Sequence, residues 1–350
     1  MDSISIRELA SSDYLALARF NSSFPEDQRS TEEWLERFRY WWDDNPAYDD
    51  TWQRGFLLLD QGKIVGFVGS FPTYFKSGGC IVKAFNGTTW RVLPEYRKWS
   101  IELWTCNREV SKHYLSFNTT PTDDVIKMIT RLKYFKYPWG DDRYSYLICD
   151  PRSFCALLPG RYSRWIKMSL VYLLKIVQWY RLSKLPGMMS VRSVSYDPSD
   201  VDKLWVRTAP QYQYTNVRDS KAVLWYSKGK EIRYVYNRKK LVAFCIYLQA
   251  KKSDGKKLTM ADFWHDRSEN LLGILGSLIR YDKRSSSREP GLSTIRYPHF
   301  SSAVAKALEE TKLSNHAVQY TGFVRLPNGS GIELTPENSY FTLLQGDLGA

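Results

Sequence analysis

The first part of the chain alternates stretches of helical and strand-like hydrophobic pattern. Residues 11–24 and 30–46 have apolar side chains at the spacing of one helix face. Ser30, with Glu33 three residues later, is the pattern of a capping box. Two apolar runs then flank the tetrapeptide Asp-Gln-Gly-Lys at 60–63, which is typical of a hairpin turn. The pattern predicts two helices followed by a β-hairpin.

The pattern continues as strands and helices in alternation. Residues 80–93 have the pattern of a third strand, and 96–113 have that of a helix. A strand at 114–120, a helix at 122–135 and a last strand at 144–150 follow. This order predicts a mixed α/β domain over residues 1–160.

The second half of the chain repeats this order of elements with few shared residues. Positions that correspond in the two halves, such as Gly66 with Ala243 and Asn118 with Arg296, recur at a nearly constant offset. An ordered series of such matches indicates duplicated architecture. A second domain is therefore predicted over residues 191–350.

A long apolar segment at 161–190 connects the two predicted domains. Within 163–185 it has the pattern of a helix that is apolar over most of its circumference, interrupted by Lys167, Lys175 and Arg181. Two interpretations remain open. The helix packs between the domains or in a homodimer interface, or it lies on a membrane surface with its basic side chains towards the headgroups.

Composition narrows the class of partner. Hydrophobic residues make up 43% of the 350 residues, which is enough for packed cores. The formal net charge of +13 favours anionic partners, and the basic residues are dispersed rather than collected in one run. No zinc-finger spacing or other nucleic-acid motif occurs, so a small anionic ligand or an acidic protein is expected rather than DNA.

Cysteine usage and the N-terminal sequence predict a cytoplasmic protein. The five cysteines are scattered without CxxC pairs, a pattern typical of buried free thiols in a reducing compartment. The first residues lack the apolar core of a signal peptide, and no run of about 20 apolar residues occurs. No metal-ligand spacing is present either.

Two helices, a hairpin, a strand, Pro-Glu-Tyr-Arg, a helix, a strand and a helix together resemble the GNAT acyltransferase fold. The stretches that carry the resemblance are 62–72 (GKIVGFVGSFP), 90–103 (WRVLPEYRKWSIEL) and 117–138 (FNTTPTDDVIKMITRLKYFKYP). Residues 216–248 resemble the second domain of bacterial tandem-GNAT proteins, in which an Arg-Asp pair and a Trp precede the strands, here Arg218, Asp219 and Trp225. The resemblance implies two GNAT-like α/β domains, each a mixed central sheet flanked by helices.

The resemblance also implies a site for coenzyme A or an acyl-CoA. In GNAT enzymes one strand diverges from its neighbour and binds pantetheine through free backbone groups, and amides at the next helix N-terminus bind pyrophosphate. The equivalent strand here is 88–93, and the equivalent loop is 97–101. The cofactor-binding residues that it implies are Trp90, Arg91, Val92, Arg97, Lys98, Trp99, Ser100, Ile101 and Thr119. The alternative is a plain helix start with solvated basic side chains.

Two departures from the family pattern affect this expectation. Ser100 and Glu102 stand where the family has small residues, and a carboxylate beside a diphosphate is unfavourable unless it points away. The loop is therefore expected to make fewer contacts with a coenzyme A than the family loop does. The phosphopantetheine of an acidic acyl carrier protein is the alternative donor. The usual family tyrosine acid is replaced by Ile129.

Three residues are candidates for the catalytic chemistry. Asn86 lies on the predicted central strand. In GNAT enzymes the catalytic base, or a residue that binds the water through which the base acts, projects from this strand. Asn118 ends the next strand, beside the expected thioester. In the second half, His265 is the best base by its intrinsic pKa. Asn118 as a turn cap and His265 as a structural histidine are the alternatives.

A polar and aromatic cluster in the second half is the candidate acceptor site. It consists of Tyr212, Tyr214, Asn216, Arg218 and Asp219, and Asp262 on a predicted strand is a further substrate-binding candidate. Arg218 could bind a phosphate of a sugar diphosphate and a tyrosine could stack on its base. A capped helix start with an internal Arg–Asp pair is the alternative.

The resemblance therefore implies an N-acyltransferase that moves an acyl group from acyl-CoA or an acyl carrier protein to the amine of a nucleotide-linked amino sugar. Some tandem-GNAT proteins that act in the biosynthesis of surface polysaccharides such as O-antigen catalyse this reaction. Two alternatives are an aminoacyl-tRNA-dependent transferase of the peptidoglycan type, and a catalytically degenerate GNAT scaffold in envelope-glycan biosynthesis. Retained binding of an acyl-CoA would separate the enzyme from the scaffold.

Overall fold

The computed structural model describes residues 4–119, 121–137, 141–156, 164–187, 189–193, 197–252, 255–289, 291–317 and 322–345. Its α-helices are α1 (Tyr14–Ser22), α2 (Thr31–Phe38), α3 (Ser100–Ser111), α4 (Asp123–Arg131), α5 (Pro151–Ala156), α6 (Arg164–Lys184), α7 (Pro198–Thr208), α8 (Ser220–Tyr226), α9 (Leu271–Ser286) and α10 (Ser302–Glu310). Its strands are β1 (Ile4–Glu8), β2 (Gly55–Asp60), β3 (Lys63–Ser77), β4 (Cys80–Val92), β5 (Ser116–Asn118), β6 (Phe135–Lys136), β7 (Arg143–Ile148), β8 (Ser190–Arg192), β9 (Tyr214–Asn216), β10 (Glu231–Asn237), β11 (Lys240–Lys252), β12 (Gly255–His265), β13 (Leu292–Pro298), β14 (Ser314–Ala317), β15 (Phe323–Arg325) and β16 (Ser339–Tyr340).

Local signals in the sequence explain how the first elements form. The Ser30 hydroxyl accepts from the Glu33 amide at 3.2 Å, and the Glu33 carboxylate accepts from the Ser30 amide at 2.7 Å, which confirms the predicted capping box of α2. The hairpin between β2 and β3 turns at Gln61 and Gly62, both with positive φ. This turn geometry matches the twist of an antiparallel pair, so the predicted hairpin is also confirmed.

Two mixed sheets form the framework, and they share one strand order. The first runs β1-β2-β3-β4-β5-β15-β6, and in addition β9 pairs with β3 and β16 pairs with β9. The second, read from its other edge, runs β8-β10-β11-β12-β13-β7-β14. In each sheet one central pair is parallel, β4 with β5 and β12 with β13, and its neighbours are antiparallel. The predicted fold class, a mixed sheet flanked by helices in each half, is confirmed.

The two halves of the chain exchange one strand reciprocally. Strand β7 comes from the first half but lies between β13 and β14 of the second sheet. Strand β15 comes from the second half but lies between β5 and β6 of the first sheet. The strand predicted at 144–150 is therefore present as β7, but it belongs to the second sheet. The domain boundaries at 160 and 191 remain predictions.

Aromatic side chains join the two halves in one core. The Trp225 indole donates to the Tyr40 carbonyl at 2.7 Å, and the two rings stack with centroids 4.8 Å apart. Trp34, Trp41 and Phe71 belong to the same buried cluster. The high aromatic content is thus used in packing, because these rings remove a large apolar area from water.

The connecting segment is not a buried spacer. Helix α6 buries only Val171, and eight of its large apolar side chains are exposed. The interpretation that this helix packs between the two halves is therefore wrong. No helix in the described part of the chain is both long enough and apolar enough to cross a bilayer.

The last described segment, 339–345, ties both sheets together. The Phe341 ring packs between Phe117 and Tyr137 of the first half, with centroids 5.8 and 5.0 Å away. The Leu343 amide donates to the Ala261 carbonyl of β12 in the second sheet. All its side chains from Ser339 to Gln345 are buried.

We predict that Phe341→Ala lowers the free energy of unfolding by about 3–5 kcal/mol, because it leaves a cavity between the two halves. Urea unfolding followed by tryptophan fluorescence measures this change. Val206→Ala is the control, because Val206 is 71% exposed on α7 and its truncation should cost less than about 0.5 kcal/mol. A loss below about 1 kcal/mol at Phe341 would contradict the tying role.

Candidate active site

The first sheet opens at its parallel pair. Pairing of β4 with β5 covers only Phe85 with Ser116 and Asn86 with Phe117, although β4 continues to Val92. The backbone edge of β4 beyond Asn86 therefore has no neighbouring β5 residue to pair with. A strand edge that lies beyond the end of its ladder is suited to an extended ligand.

A β-bulge lies on β4 just where the strands separate. Val68 of β3 pairs with Trp90 and Gly69 pairs with Thr88, so Thr89 is an extra residue on β4. Thr89 has φ +39°, which turns its peptide groups out of the ladder. The bulge residue Thr89 and its neighbours Thr88 and Trp90 line the opening between the strands.

A narrow cleft of about 140 Å³ occupies this opening. It lies between β4, α3 and the turn from β5 into α4. Its lining residues are Val68, Gly69, Gly87, Thr88, Thr89, Trp90, Trp104, Asn107, Asn118, Pro121, Thr122 and Val125. None of these described lining residues has a titratable side chain, so the cleft offers hydrogen bonds but no acid or base.

The loop into α3 differs from the phosphate loop that the family resemblance implied. Residues Pro94–Trp99 form a 3₁₀-helix that runs directly into α3, and the Ser100 amide donates to the Arg97 carbonyl. Fewer amides are therefore free at this helix start than in an open loop. Arg97 and Lys98 are exposed, and neither forms an ion pair with another described residue.

Of the residues that the resemblance implied for cofactor binding, some line the cleft and others lie elsewhere. Trp90 lines the cleft. Arg91 donates to the Asn21 carbonyl and to Asp27, so its guanidinium is directed to the α1–α2 region and away from the cleft. Val92 and Trp99 pack in a small apolar cluster, and Thr119 is buried. Ile101 is exposed on α3.

Only one of the three catalytic candidates reaches the cleft. Asn118 lines it, half-buried at the end of β5. Asn86 is fully buried, and its amide donates to the Phe71 carbonyl at 3.1 Å and to the Thr73 hydroxyl at 3.0 Å. His265 lies in the second sheet, where burial lowers its pKa to about 4, and its ring stacks on Phe263. Asn118 is therefore the candidate that the geometry favours.

The equivalent opening in the second sheet is filled by the chain itself. Pairing of β12 with β13 ends at Thr259 with Arg296, and β12 continues to His265. Ala261 is an extra residue on β12, at the place that Thr89 has on β4. The Leu343 amide bonds the Ala261 carbonyl, so segment 339–345 occupies the position that remains open in the first sheet.

The predicted acceptor cluster is buried in this filled region. Arg218 is 1% exposed, and its Nε and Nη2 donate to Asp262 at 3.0 Å. Its remaining N–H groups donate to Thr215, Asn216 and Thr342. No donor remains for a substrate phosphate in this arrangement, so we no longer assign Arg218 and Asp262 that role.

The other members of this cluster are also packed. Tyr212 stacks against Trp264 and Tyr340, and Tyr214 lies in an apolar cluster of the first sheet. The Asn216 amide donates to the Tyr226 hydroxyl at 2.9 Å. The cluster therefore lies at a junction between the halves. The alternative from the sequence is confirmed for the helix cap, because the Asp219 carboxylate accepts from the Ala222 amide at the start of α8, but Arg218 pairs with Asp262 and not with Asp219.

Several cleft residues were missed in the sequence, although one signal was present. Gly87 followed by Thr88 and Thr89 interrupts an apolar strand, and a glycine within a strand often marks a bulge. Asn107 and Thr122 had no distinguishing pattern. All five cysteines are free, as predicted, but Cys80 is exposed rather than buried. No group of metal-ligating side chains occurs within the described ranges.

The fold is similar to those of several solved structures over nearly the whole chain. A GCN5-related N-acetyltransferase from Anabaena variabilis is 13% identical and has a TM-score of 0.56, covering 93% of this chain and 73% of its own. An Enterococcus faecalis protein described as a probable N-acyltransferase is 12% identical with a TM-score of 0.57 and the same two coverages. Saccharomyces cerevisiae N-myristoyltransferase, solved with bound myristoyl-CoA, is 12% identical with a TM-score of 0.54, covering 99% of this chain and 84% of its own.

These similarities define a GNAT-type fold for this chain. No family model and no curated protein matches the sequence. At these identities the likeness extends to the fold alone, and the chemistry has to be argued from the cleft.

We predict that Asp262→Asn lowers the free energy of unfolding by about 3–5 kcal/mol, because it leaves the Arg218 charge buried without its partner. Asp44→Asn is the matched control, because Asp44 and Lys228 form an exposed pair at 2.7 Å, and its loss should cost less than about 1 kcal/mol. Urea unfolding of the two variants measures the difference. If both variants lowered the free energy of unfolding by the same small amount, the buried pair would not be important for stability.

Proposed function

We propose that this chain is an N-acyltransferase that holds its acyl donor in the cleft between β4 and β5. The observation that carries the proposal is the edge of β4, where pairing with β5 ends at Asn86 and the bulge residue Thr89 lines the cleft. An extended arm with amide groups can take the place of the missing strand. A GNAT-type fold over 93% of the chain supports acyl transfer as the chemistry.

The donor that suits this cleft is a thioester on a phosphopantetheine arm, as in acyl-CoA. Arg97 and Lys98 place positive charge just before the start of α3, about two turns before Trp104 in the cleft wall. The Ser100 amide is already bonded, so the charges rather than the amides would hold the phosphates. An acyl carrier protein carries the same arm with one phosphate, and it remains the second donor in this proposal.

The chemistry is direct attack of a neutral amine on the thioester. The amine nitrogen bonds to the carbonyl carbon, the C–S bond breaks, the thiolate leaves, and the amine loses its proton to solvent. In this proposal a backbone N–H at the bulge and the Asn118 amide, both in the cleft lining, stabilise the oxyanion. No general base is provided by the described lining residues, so the acceptor must supply an amine that is already neutral.

This requirement supports an amino sugar as the acceptor. The amine of an amino sugar has a lower pKa than a lysine side chain, so a large fraction of it is neutral at pH 7. The net charge of +13 supports an anionic acceptor such as a nucleotide-linked amino sugar. The resemblance to tandem-GNAT proteins, some of which acylate such sugars, also favours this acceptor.

We predict that coenzyme A stabilises the protein by about 2.7 kcal/mol at 100 times its Kd, because it binds only the folded chain. The measurement is the thermal midpoint with coenzyme A, acetyl-CoA, a long-chain acyl-CoA and 4′-phosphopantetheine. Val125→Trp should abolish the shift by filling the cleft, and Val206→Trp on α7 should keep it.

The same measurement separates the donors and the alternatives. Arg97→Ala should reduce the shift with coenzyme A, whereas Arg288→Ala, an equally exposed arginine elsewhere, should leave it unchanged. Stabilisation by 4′-phosphopantetheine alone points to a carrier-protein donor. No stabilisation by any of these ligands would contradict the proposal and favour a scaffold without acyl transfer.

We predict that Asn118→Ala lowers kcat about 100-fold while leaving the coenzyme A shift in place, because one donor to the oxyanion is lost. Asn118→Asp keeps the shape of the side chain but replaces the NH₂ donor, so it should lose a similar factor. Steady-state kinetics of thioester cleavage with an amino-sugar acceptor measures both. Full activity of the aspartate variant would contradict the donor role.

We predict that log(kcat/KM) rises with pH until the acceptor amine is neutral and then stays level, because deprotonation supplies the nucleophile. The midpoint should follow the pKa of the acceptor when two amino sugars of different amine pKa are compared. A midpoint that is the same for both acceptors would indicate a protein base and contradict the mechanism.

A further inference from the structure

Helix α6 presents an apolar stripe to solvent. Trp165, Tyr172, Ile176 and Trp179 are spaced by seven, four and three residues, so they lie along one side of the helix. Their exposed fractions are 84%, 60%, 63% and 71%. An exposed stripe of this length, rich in aromatic residues, is typical of an interaction surface rather than of a solvated helix.

Positive charge surrounds this stripe. The helix carries five basic residues and no acidic residue. On a helical projection Lys175 lies at one edge of the stripe and Lys184 lies at the other. An apolar face with tryptophan and tyrosine between two basic edges is the pattern of a helix that lies in a bilayer interface.

The rest of the molecule fixes which side of the helix faces outwards. Arg280 of α9 donates to the Leu182 carbonyl at 3.1 Å and to the Ser183 carbonyl at 3.4 Å, and so holds the end of α6. The Gln178 amide donates to the Ile148 carbonyl of β7 at 2.9 Å. With its inner side bonded in this way, α6 presents the apolar stripe without rotation or unfolding.

A basic cavity of about 820 Å³ adjoins the stripe. It lies between α6, α9 and the turn from β7 into α5, and Trp179 forms part of its wall. Its basic lining residues are Arg152, Lys175, Arg280, Lys283 and Arg284. Burial lowers the pKa of Lys283, whose ammonium donates to the carbonyls of Ile148 and Cys149.

The rim of this cavity keeps unneutralised charge. Arg152, Lys175 and Arg284 are exposed, and none forms an ion pair with another described residue. Asp150 is the one carboxylate among the described lining residues, and it accepts from the amides of Arg152 and Ser153 at the start of α5. The cavity is therefore suited to an anion presented from the same side as the apolar stripe.

We propose that α6 docks on an anionic lipid bilayer, with its apolar stripe at the boundary of the acyl chains and a lipid phosphate in the adjoining basic cavity. Charge complementarity selects the lipid surface as the occupant, because another copy of this helix would bring its own five basic residues to the contact. The inference does not rest on the proposed acyl transfer.

The test is co-sedimentation of the full chain with vesicles of phosphatidylcholine, alone or in an equimolar mixture with phosphatidylglycerol. Binding is expected to the mixed vesicles and to weaken with salt. The double variant Ile176→Glu with Trp179→Glu should lower partitioning about tenfold or more. Lys175→Ala should lower it about fivefold, the value of one charge near an anionic surface.

Val206→Glu is the matched control, because Val206 is 71% exposed on α7 and receives the same substitution away from α6. It should bind vesicles like the unaltered chain. Light scattering gives the oligomeric state of each variant. Absent or equal binding to the two vesicle types would overturn the proposal. So would a dimer that the double variant dissociates, because a second copy would then be the occupant. The coenzyme A shift of the double variant reports separately on the proposed function.

Discussion

The separation of β4 from β5 is the feature on which the candidate site depends. Backbone polar groups away from water need partners, and a bulge in one strand of a pair leaves a residue outside the ladder. The chain has this arrangement twice, at Thr89 of β4 and at Ala261 of β12. In the second sheet the Leu343 amide donates to the carbonyl of the bulge residue Ala261, and in the first sheet a cleft lies at the equivalent position. One architecture thus gives a structural half and a half with room for a ligand.

The filled opening explains why the two halves form a single unit. The segment that bonds β12 also places Phe341 against Phe117 and Tyr137 of the first sheet. Strands β7 and β15 each complete the sheet of the other half. The buried Arg218–Asp262 pair lies at the same junction, where its ion pair is shielded from water and its donors are all satisfied. A rigid junction of this kind holds the walls of the open cleft in place, which matters because a donor must be bound in one geometry for efficient transfer.

Local signals in the sequence predicted the elements, but not their partners. The capping box at Ser30 and the turn at Gln61 and Gly62 depend on residues that are close in the chain, so they could be predicted. The exchange of β7 and β15 could not, because the alternating pattern of a strand shows that it pairs without showing with which sheet. Asn118 could be named as a candidate because it ends a predicted strand. Arg218 was misassigned because a sequence does not show whether an arginine meets a carboxylate of its own chain.

The central claim is that the open edge of β4, and not the filled edge of β12, receives the acyl donor. Hydrogen–deuterium exchange with and without saturating coenzyme A tests it most directly, because it reports on the backbone amides of both edges at once. The account predicts slower exchange in peptides that cover 87–92 and 121–125, and no change in those that cover 260–265 and 339–345. Protection of 260–265, or equal protection of both edges, would contradict it.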